Sequence, residues 1–353
     1  MGSLTLAAAA RNLAKQTDEN GTYTPISFDS DDAWAPPEMD GGEALDTGIE
    51  IPGMTAEEFV SVIIDEPEPL VTHTVLDGLL EGGLWPGMTV VGGVPSVGKS
   101  VLACQATLNV ALSGKDVLYI CPDDMERSIH KRCMSCWSVS RRSAAAGTKS
   151  FSWSSVANLM RDIRDRIGKV DHSRHAWEGE DEILRTARAY AADVGERIHV
   201  TASMNKTNEI VKTVDTLAEA GKLPSLIVID YSQQFRSGDE SSDGQMSQRM
   251  QAVTNDLKEI GLRNEIPVLA LTSLTKAAGK GESKEPSLDW FAGSAQFGYD
   301  AWAAIVLKYP DDLGPGDTVE VVCLKNKCGS GLKTVTVKRD GAHSRLVPPR
   351  QPY

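Results

Sequence analysis

The chain has 353 residues, 41% hydrophobic and 24% charged, with six cysteines and a formal net charge of −13. That length suits one large domain or two small ones with ample apolar material for a core, and no run of about 18 apolar residues suggests a membrane span. Six cysteines in so long a chain do not make a disulfide scaffold.

Residues 3–15 read as a short amphipathic helix rather than a signal peptide, because the basic and long apolar regions of an export signal are missing. The expected compartment is therefore the cytoplasm, of a bacterium or of a phage-infected host. Residues 16–70 are rich in Asp, Glu, Pro and Gly and bury little. Residues 1–72 hold 15 acids against two bases, Arg11 and Lys15, while the remainder balances 34 against 34. The whole charge excess thus sits on an acidic, largely flexible arm over 1–72. The arm is either a solubilising tail or a mimic of nucleic acid over a basic site. A neutral body over 73–353 can still bind a phosphate backbone through local basic loops.

From residue 73 the pattern alternates strand and helix. Met88–Val91, Val117–Cys121, Ile198–Thr201, Leu226–Ile229, Val268–Thr272 and Ala303–Leu307 read as strands. Ser100–Leu112, 126–138, 154–167, 178–193, 207–221 and 245–263 read as helices. Thr318–Leu324, Lys333–Lys338 and a last strand after the Asp340-Gly341 turn read as antiparallel. The fold class expected is α/β, a mostly parallel sheet flanked by helices with C-terminal antiparallel hairpins.

Gly93-Val94-Pro95-Ser96-Val97-Gly98-Lys99-Ser100 fits GxxxxGK[ST] between an apolar strand and a helix. The glycines let backbone N–H groups curl around phosphate oxygens, and the helix offers its N-terminus to the same anion. Lys99 would reach the β and γ phosphates of ATP, and the Ser100 hydroxyl would ligate Mg²⁺. Leu226–Ile229 ends in Asp230, placed to hold the same Mg²⁺. Asp123 and Asp124 end the strand after the loop's helix; one of them is the candidate base for the attacking water, or both cap the helix near Glu126. Cys133 and Cys136 form a CxxC with His172 and His175 further on, a conceivable zinc site. The helical, basic surroundings without turn glycines favour a structural role.

Together these residues resemble the RecA-like ATPase domain of DnaB-type replicative helicases, including phage and plasmid relatives, over residue 73 to the end. Val117 to Asp123 is similar to the family strand that ends in a catalytic carboxylate, with Arg132 nine residues on. Ile229-Asp230-Tyr231-Ser232-Gln233 is similar to the Asp-Tyr-x-Gln segment, and Lys325-Asn326-Lys327-Cys328-Gly329 to a late Lys-x-Arg-x-Gly hairpin. The resemblance implies a RecA-like P-loop NTPase core and a place for Gln233 at the nucleotide. It implies that Lys325 and Lys327 act on a neighbouring subunit's nucleotide and that the active form is a ring, usually a hexamer. The chain departs from the pattern in carrying Asp for the family Glu, Lys327 for the usual Arg finger, and Ser273 for a usual Gln. The acidic arm stands where the family carries a helical primase-contact domain.

Two loops would line the channel of such a ring. The first contributes Arg236; the second carries Lys276, Lys280 and Lys284 among glycines, suited to non-specific contact with single-stranded DNA. The sequence thus points to an ATP-driven helicase or translocase on single-stranded DNA, with replication or recombination proteins as partners. The alternative is a RecA/RadA- or KaiC-type ATPase that remodels nucleoprotein complexes without unwinding.

Overall fold

The computed structural model describes residue 64 and residues 67–156, 182–237, 246–275, 285–291, 296–310 and 316–348. Residues 64–353 form one compact unit. The expected helix over 3–15, most of the acidic arm and most of the 154–167 stretch lie outside the described residues. Leu70 and Thr72, on the arm side of the expected boundary, are buried in the body, and Leu70 bridges Leu84.

The helices are α1 (Val75–Leu79), α2 (Lys99–Leu112), α3 (Glu126–Trp137), α4 (Arg141–Ala145), α5 (Glu182–Tyr190), α6 (Thr207–Glu219), α7 (Met246–Arg263) and α8 (Gln296–Asp300). The strands are β1 (Gly87–Gly93), β2 (Val117–Ile120), β3 (Ile198–Thr201), β4 (Leu226–Ile229), β5 (Pro267–Ser273), β6 (Ala303–Lys308), β7 (Thr318–Asn326), β8 (Lys333–Asp340) and β9 (Arg345–Val347). All lie in one sheet, in the order β3-β2-β4-β5-β1-β6-β7-β8-β9. Neighbours from β3 to β6 are parallel, and β6 to β9 are antiparallel.

The central strands β1, β2, β4, β5 and β6 read as largely apolar runs because both faces of the sheet are covered there. Val91, Tyr119, Val228, Leu271 and Ile305 join the core beneath α2 and α3; their neighbours Val90, Ile120, Ile229, Ala270 and Ala304 join the opposite core with α6 and α7. This is the alternation of a pleated strand buried twice. Each fully buried aliphatic side chain contributes about 1.5–3 kcal/mol, so the central strands hold the frame on which the loops stand. The C-terminal ends of β1, β2, β4 and β5 share one edge, where parallel α/β sheets place their ligands.

Candidate nucleotide site

The phosphate loop leaves β1 at Gly93. A Cβ there would lie 2.7 Å from Val97 Cγ1 and 3.0 Å from the Leu307 carbonyl, so only glycine lets the loop start against its neighbouring strand. Pro95 and Ser96 form an exposed apex, Val94 is half-buried, and Val97 is fully buried beneath it. Ser96 adopts φ 63° and Gly98 φ 120°. Left-handed turns of this kind let successive N–H groups converge on one point, the nest an anion needs. Gly98 is the N-cap of α2 and offers no side-chain cap, which leaves the first N–H groups of the helix without a side-chain acceptor.

Lys99 folds back over the loop and donates to the carbonyls of Gly93 at 2.7 Å and Val94 at 3.1 Å. Burial lowers its pKa, with the Asp230 charge opposing the shift. Asp230, 8% exposed at the end of β4, accepts a 2.7 Å hydrogen bond from the Tyr119 hydroxyl and another from Ser100. Burial raises its carboxyl above the ordinary value, and those two donors and Arg132 pull it back. The two residues expected at a metal, Ser100 and Asp230, are therefore hydrogen-bonded to one another. A half-buried hydroxyl facing a desolvated carboxylate is the oxygen donor set that suits a hard divalent cation.

The two strand-end aspartates separate. Asp123 is exposed. Asp124 binds Arg132 Nη1 at 2.7 Å, and its charge raises the pKa of Asp230. Neither caps α3, whose N-cap is Met125 without a side-chain bond; Asp124 Oδ1 accepts only its neighbour Met125 N–H there. Gln233, in a 3₁₀ turn after Asp230, donates to Thr272 Oγ1 and, at 3.4 Å, to the Ser273 carbonyl. It brings an amide to the end of β5, where the family's usual glutamine is replaced by Ser273.

An open cleft of about 300 Å³ runs along the loop, lined by Ser96, Lys99, Ser100, Arg132, Asp317 and Arg339 among others. Arg339 and Tyr309 were not anticipated. Arg339 Nη1 and the Tyr309 hydroxyl, the latter at 3.1 Å, both donate to the Ser96 carbonyl and hold the loop apex. They arrive from β8 and from the end of β6, more than 200 residues along the chain, and no motif marks them.

Lys325 and Lys327 are not brought to this loop. Lys325 lies opposite Ala304, and Ala304 opposite Val90, three residues before Gly93. At about 3.3 Å per residue, about 10 Å of strand separates Lys325 from the start of the phosphate loop, and Lys327 lies farther. Lys325 Nζ donates to the Tyr299 carbonyl, and Lys327 Nζ stands 5.2 Å from the centre of the Trp302 ring.

Arg236 is exposed and forms a parallel bridge with Lys206 at the mouth of its loop. Lys276, Lys280 and Lys284 lie outside the described residues, as do His172 and His175. Cys133 is fully buried and donates to the Cys104 carbonyl at 3.6 Å; burial pushes Cys136 up to about 12. Both thiols are thus kept protonated as core groups, and no cluster of metal-ligating residues occurs among the described residues. Nor is any described helix long and apolar enough to cross a membrane.

Comparison with known proteins finds relatives among replicative helicases. Replicative DNA helicase DnaB of Geobacillus stearothermophilus is 25% identical over 261 residues, 72% of this chain and 51% of that protein. A probable replicative DNA helicase of Trieres chinensis is 21% identical over 77% of this chain and 55% of its own length. The chain thus spans about half the length of the curated relatives it matches. One solved structure, an isolated ATPase domain, shares the fold with a TM-score of 0.58 at 19% identity, covering 83% of this chain and 95% of that one. A DnaB-like replicative helicase does so with 0.60 at 17%, covering 84% and 67%. The family model of the DnaB-like helicase C terminal domain matches residues 71–346, from the turn before α1 to the last strand, and the chain belongs to that family.

Proposed function

We propose that this chain is the motor unit of an ATP-dependent DNA helicase, a ring-shaped oligomer, hexameric, that moves on single-stranded DNA and hydrolyses ATP at its subunit interfaces. The observation that carries this reading is the division of the charged groups along one sheet. The phosphate loop, Asp230, Asp124 and Arg132 stand at one end, while Lys325 and Lys327 stand toward the other, beyond reach of their own loop. A subunit therefore supplies the binding half of one site and the lysines of the next.

Lys99 would leave the Gly93 and Val94 carbonyls for the β and γ phosphates of ATP, with the loop amides of Gly93 to Ser100 around them. Mg²⁺, when bound, offsets phosphate charge, and Ser100 and Asp230 would hold it. Asp124, on the side of Asp230, is the better placed of the two aspartates to take the water proton; Arg132 orients it. Gln233 ties the loop after Asp230 to the end of β5, so it can report the state of the nucleotide to the loops that face DNA. Arg236, Lys276, Lys280 and Lys284 would contact phosphates of the strand, giving salt-sensitive binding without base preference. One structural neighbour is described together with its interactions with primase, and replication proteins of that kind are the partner class for this chain.

Strand displacement measured beside ATP hydrolysis tests the proposal. DNA-stimulated hydrolysis with no displacement on any forked substrate would replace helicase by a remodelling ATPase of the RecA type. Lys99→Ala is expected to abolish turnover, and Lys327→Ala to lower kcat by at least ~100-fold with nucleotide affinity kept. Mixing the two variants is expected to restore part of the turnover, because one subunit's intact loop can meet another's intact hairpin. No recovery at any ratio would count against action between subunits.

A further inference from the structure

The ladder between β7 and β8 ends at the pair Cys323–Lys333, ahead of the turn that carries Lys327. On one side of the turn, β6 holds β7 through Asn326, and Lys327 N donates to the Trp302 carbonyl at 3.2 Å. The other side, Gly329 to Lys333, gathers on a carboxylate from elsewhere in the chain. Glu81 Oε1 accepts from Ser330 N at 3.3 Å, from Ser330 Oγ at 3.0 Å and from Lys333 Nζ. Gly329 packs so closely on the same group that a Cβ there would lie 2.3 Å from Glu81 Oε2.

Glu81 itself is held by a short, well-anchored turn. It follows α1, whose N-terminus is capped by the Thr74 hydroxyl at 3.2 Å, and whose Asp77 accepts from Thr72 N at 2.9 Å. Leu76, Leu79, Leu80 and Leu84 around it are buried. The residue has φ 57° and is followed by Gly82 and Gly83, so the chain reverses at this point and presents the side chain outward to the hairpin. Hydrogen bonds from Lys333 first, then from Ser330, hold the carboxyl below its ordinary value.

We propose that Glu81 is the positioning residue of the hairpin: by gathering Ser330, Lys333 and the Gly329 backbone at one carboxylate, it fixes where Lys327 stands toward the neighbouring subunit. An isolated exposed ion pair would contribute little. Here the geometric task is different, because a small displacement of a charged group at a reacting centre costs far more in rate than in stability. The proposal rests on the reading that these lysines serve a neighbour's nucleotide.

The test uses the full chain and the variants Glu81→Ala, Glu81→Gln, Gly329→Ala, Lys327→Ala and the double variant Glu81→Ala with Lys327→Ala. It reads kcat and KM for ATP, affinity for a fluorescent ATP analogue, and melting temperature. Glu81→Ala is expected to lower kcat by about 10- to 100-fold with analogue affinity and melting unchanged. Gly329→Ala should do the same from the other side of the contact. Glu81→Gln, which keeps an acceptor for Ser330, should recover part of the rate. On the Lys327→Ala background, Glu81→Ala should add no further loss. Unchanged kcat in Glu81→Ala beside a lost kcat in Lys327→Ala overturns this inference alone. A loss that adds to that of Lys327→Ala, or one accompanied by weaker analogue binding or lower melting, overturns it as well. Unchanged kcat in Lys327→Ala overturns the underlying reading of the hairpin instead.

Discussion

Asp230 carries a cost that its proposed role at the metal explains. Burial raises its carboxyl above the ordinary value, and the hydroxyls of Tyr119 and Ser100 relieve only part of that. A carboxyl that holds its proton more tightly folded than unfolded loses stability as pH rises from the ordinary carboxylate value through the folded one, and the whole penalty stands above that window. Asp230→Asn keeps the size and an acceptor for the Tyr119 hydroxyl but removes the charge. At neutral pH it is expected to raise the melting temperature, on the order of 2–4 °C for each kcal/mol relieved, while turnover falls. The difference should vanish in acid, below the ordinary carboxylate value. A variant that melts lower at neutral pH would show that the carboxylate is not under strain from burial. At this scale much of the site was legible: the loop's spacing and the strand-end position of Asp230 identify groups whose chemistry depends on local sequence. The choice between Asp123 and Asp124 was not legible, because which of two adjacent residues turns inward depends on how the chain leaves β2. Tyr119 read simply as one more apolar strand residue, and Arg339 carried no local signal at all.

The elements show the same division. β1, β2, β4, β5 and β6 were visible as largely apolar runs, since burial on both faces leaves no polar alternation to confuse them; the edge strand β3 carries the exposed His199 and showed only a short apolar pattern. β7 extends two residues past its expected end at Leu324, through Lys325 to Asn326, because the register shift between Ala304 and Ile305 lets pairing with β6 continue. α1 went unseen: five residues are too few for a helical period to register. Its seat depends on Gly83, where φ is 145° and a Cβ would lie 2.2 Å from the Leu70 carbonyl oxygen. Gly83→Ala should therefore break the Leu70–Leu84 bridge and cost about 2 kcal/mol or more, read as a lower urea midpoint. An unchanged midpoint would mean that the turn relaxes freely and does not hold α1.

On the scale of the whole molecule, charge and fold divide at nearly the same place. Residues 1–63 hold 12 acids and two bases, and the compact unit starts at Ile64. Deleting 1–63, and not the longer 1–72 that composition suggested, should leave a chain that melts cooperatively, because Leu70 and Thr72 stay with the body they are buried in. Its grip on single-stranded DNA at low salt, followed by fluorescence anisotropy, should hold or tighten once the acidic segment is gone; weaker binding would assign that segment a direct part in the grip. The placement of Lys325 and Lys327 so far along the sheet from Gly93 has a further consequence. If the lysines serve a neighbour, as proposed, a solitary copy owns both halves of a hydrolytic centre and never a whole one. Dilution alone should then silence the protein while leaving every molecule folded and able to take up nucleotide, and specific activity should climb with protein concentration until assembly saturates.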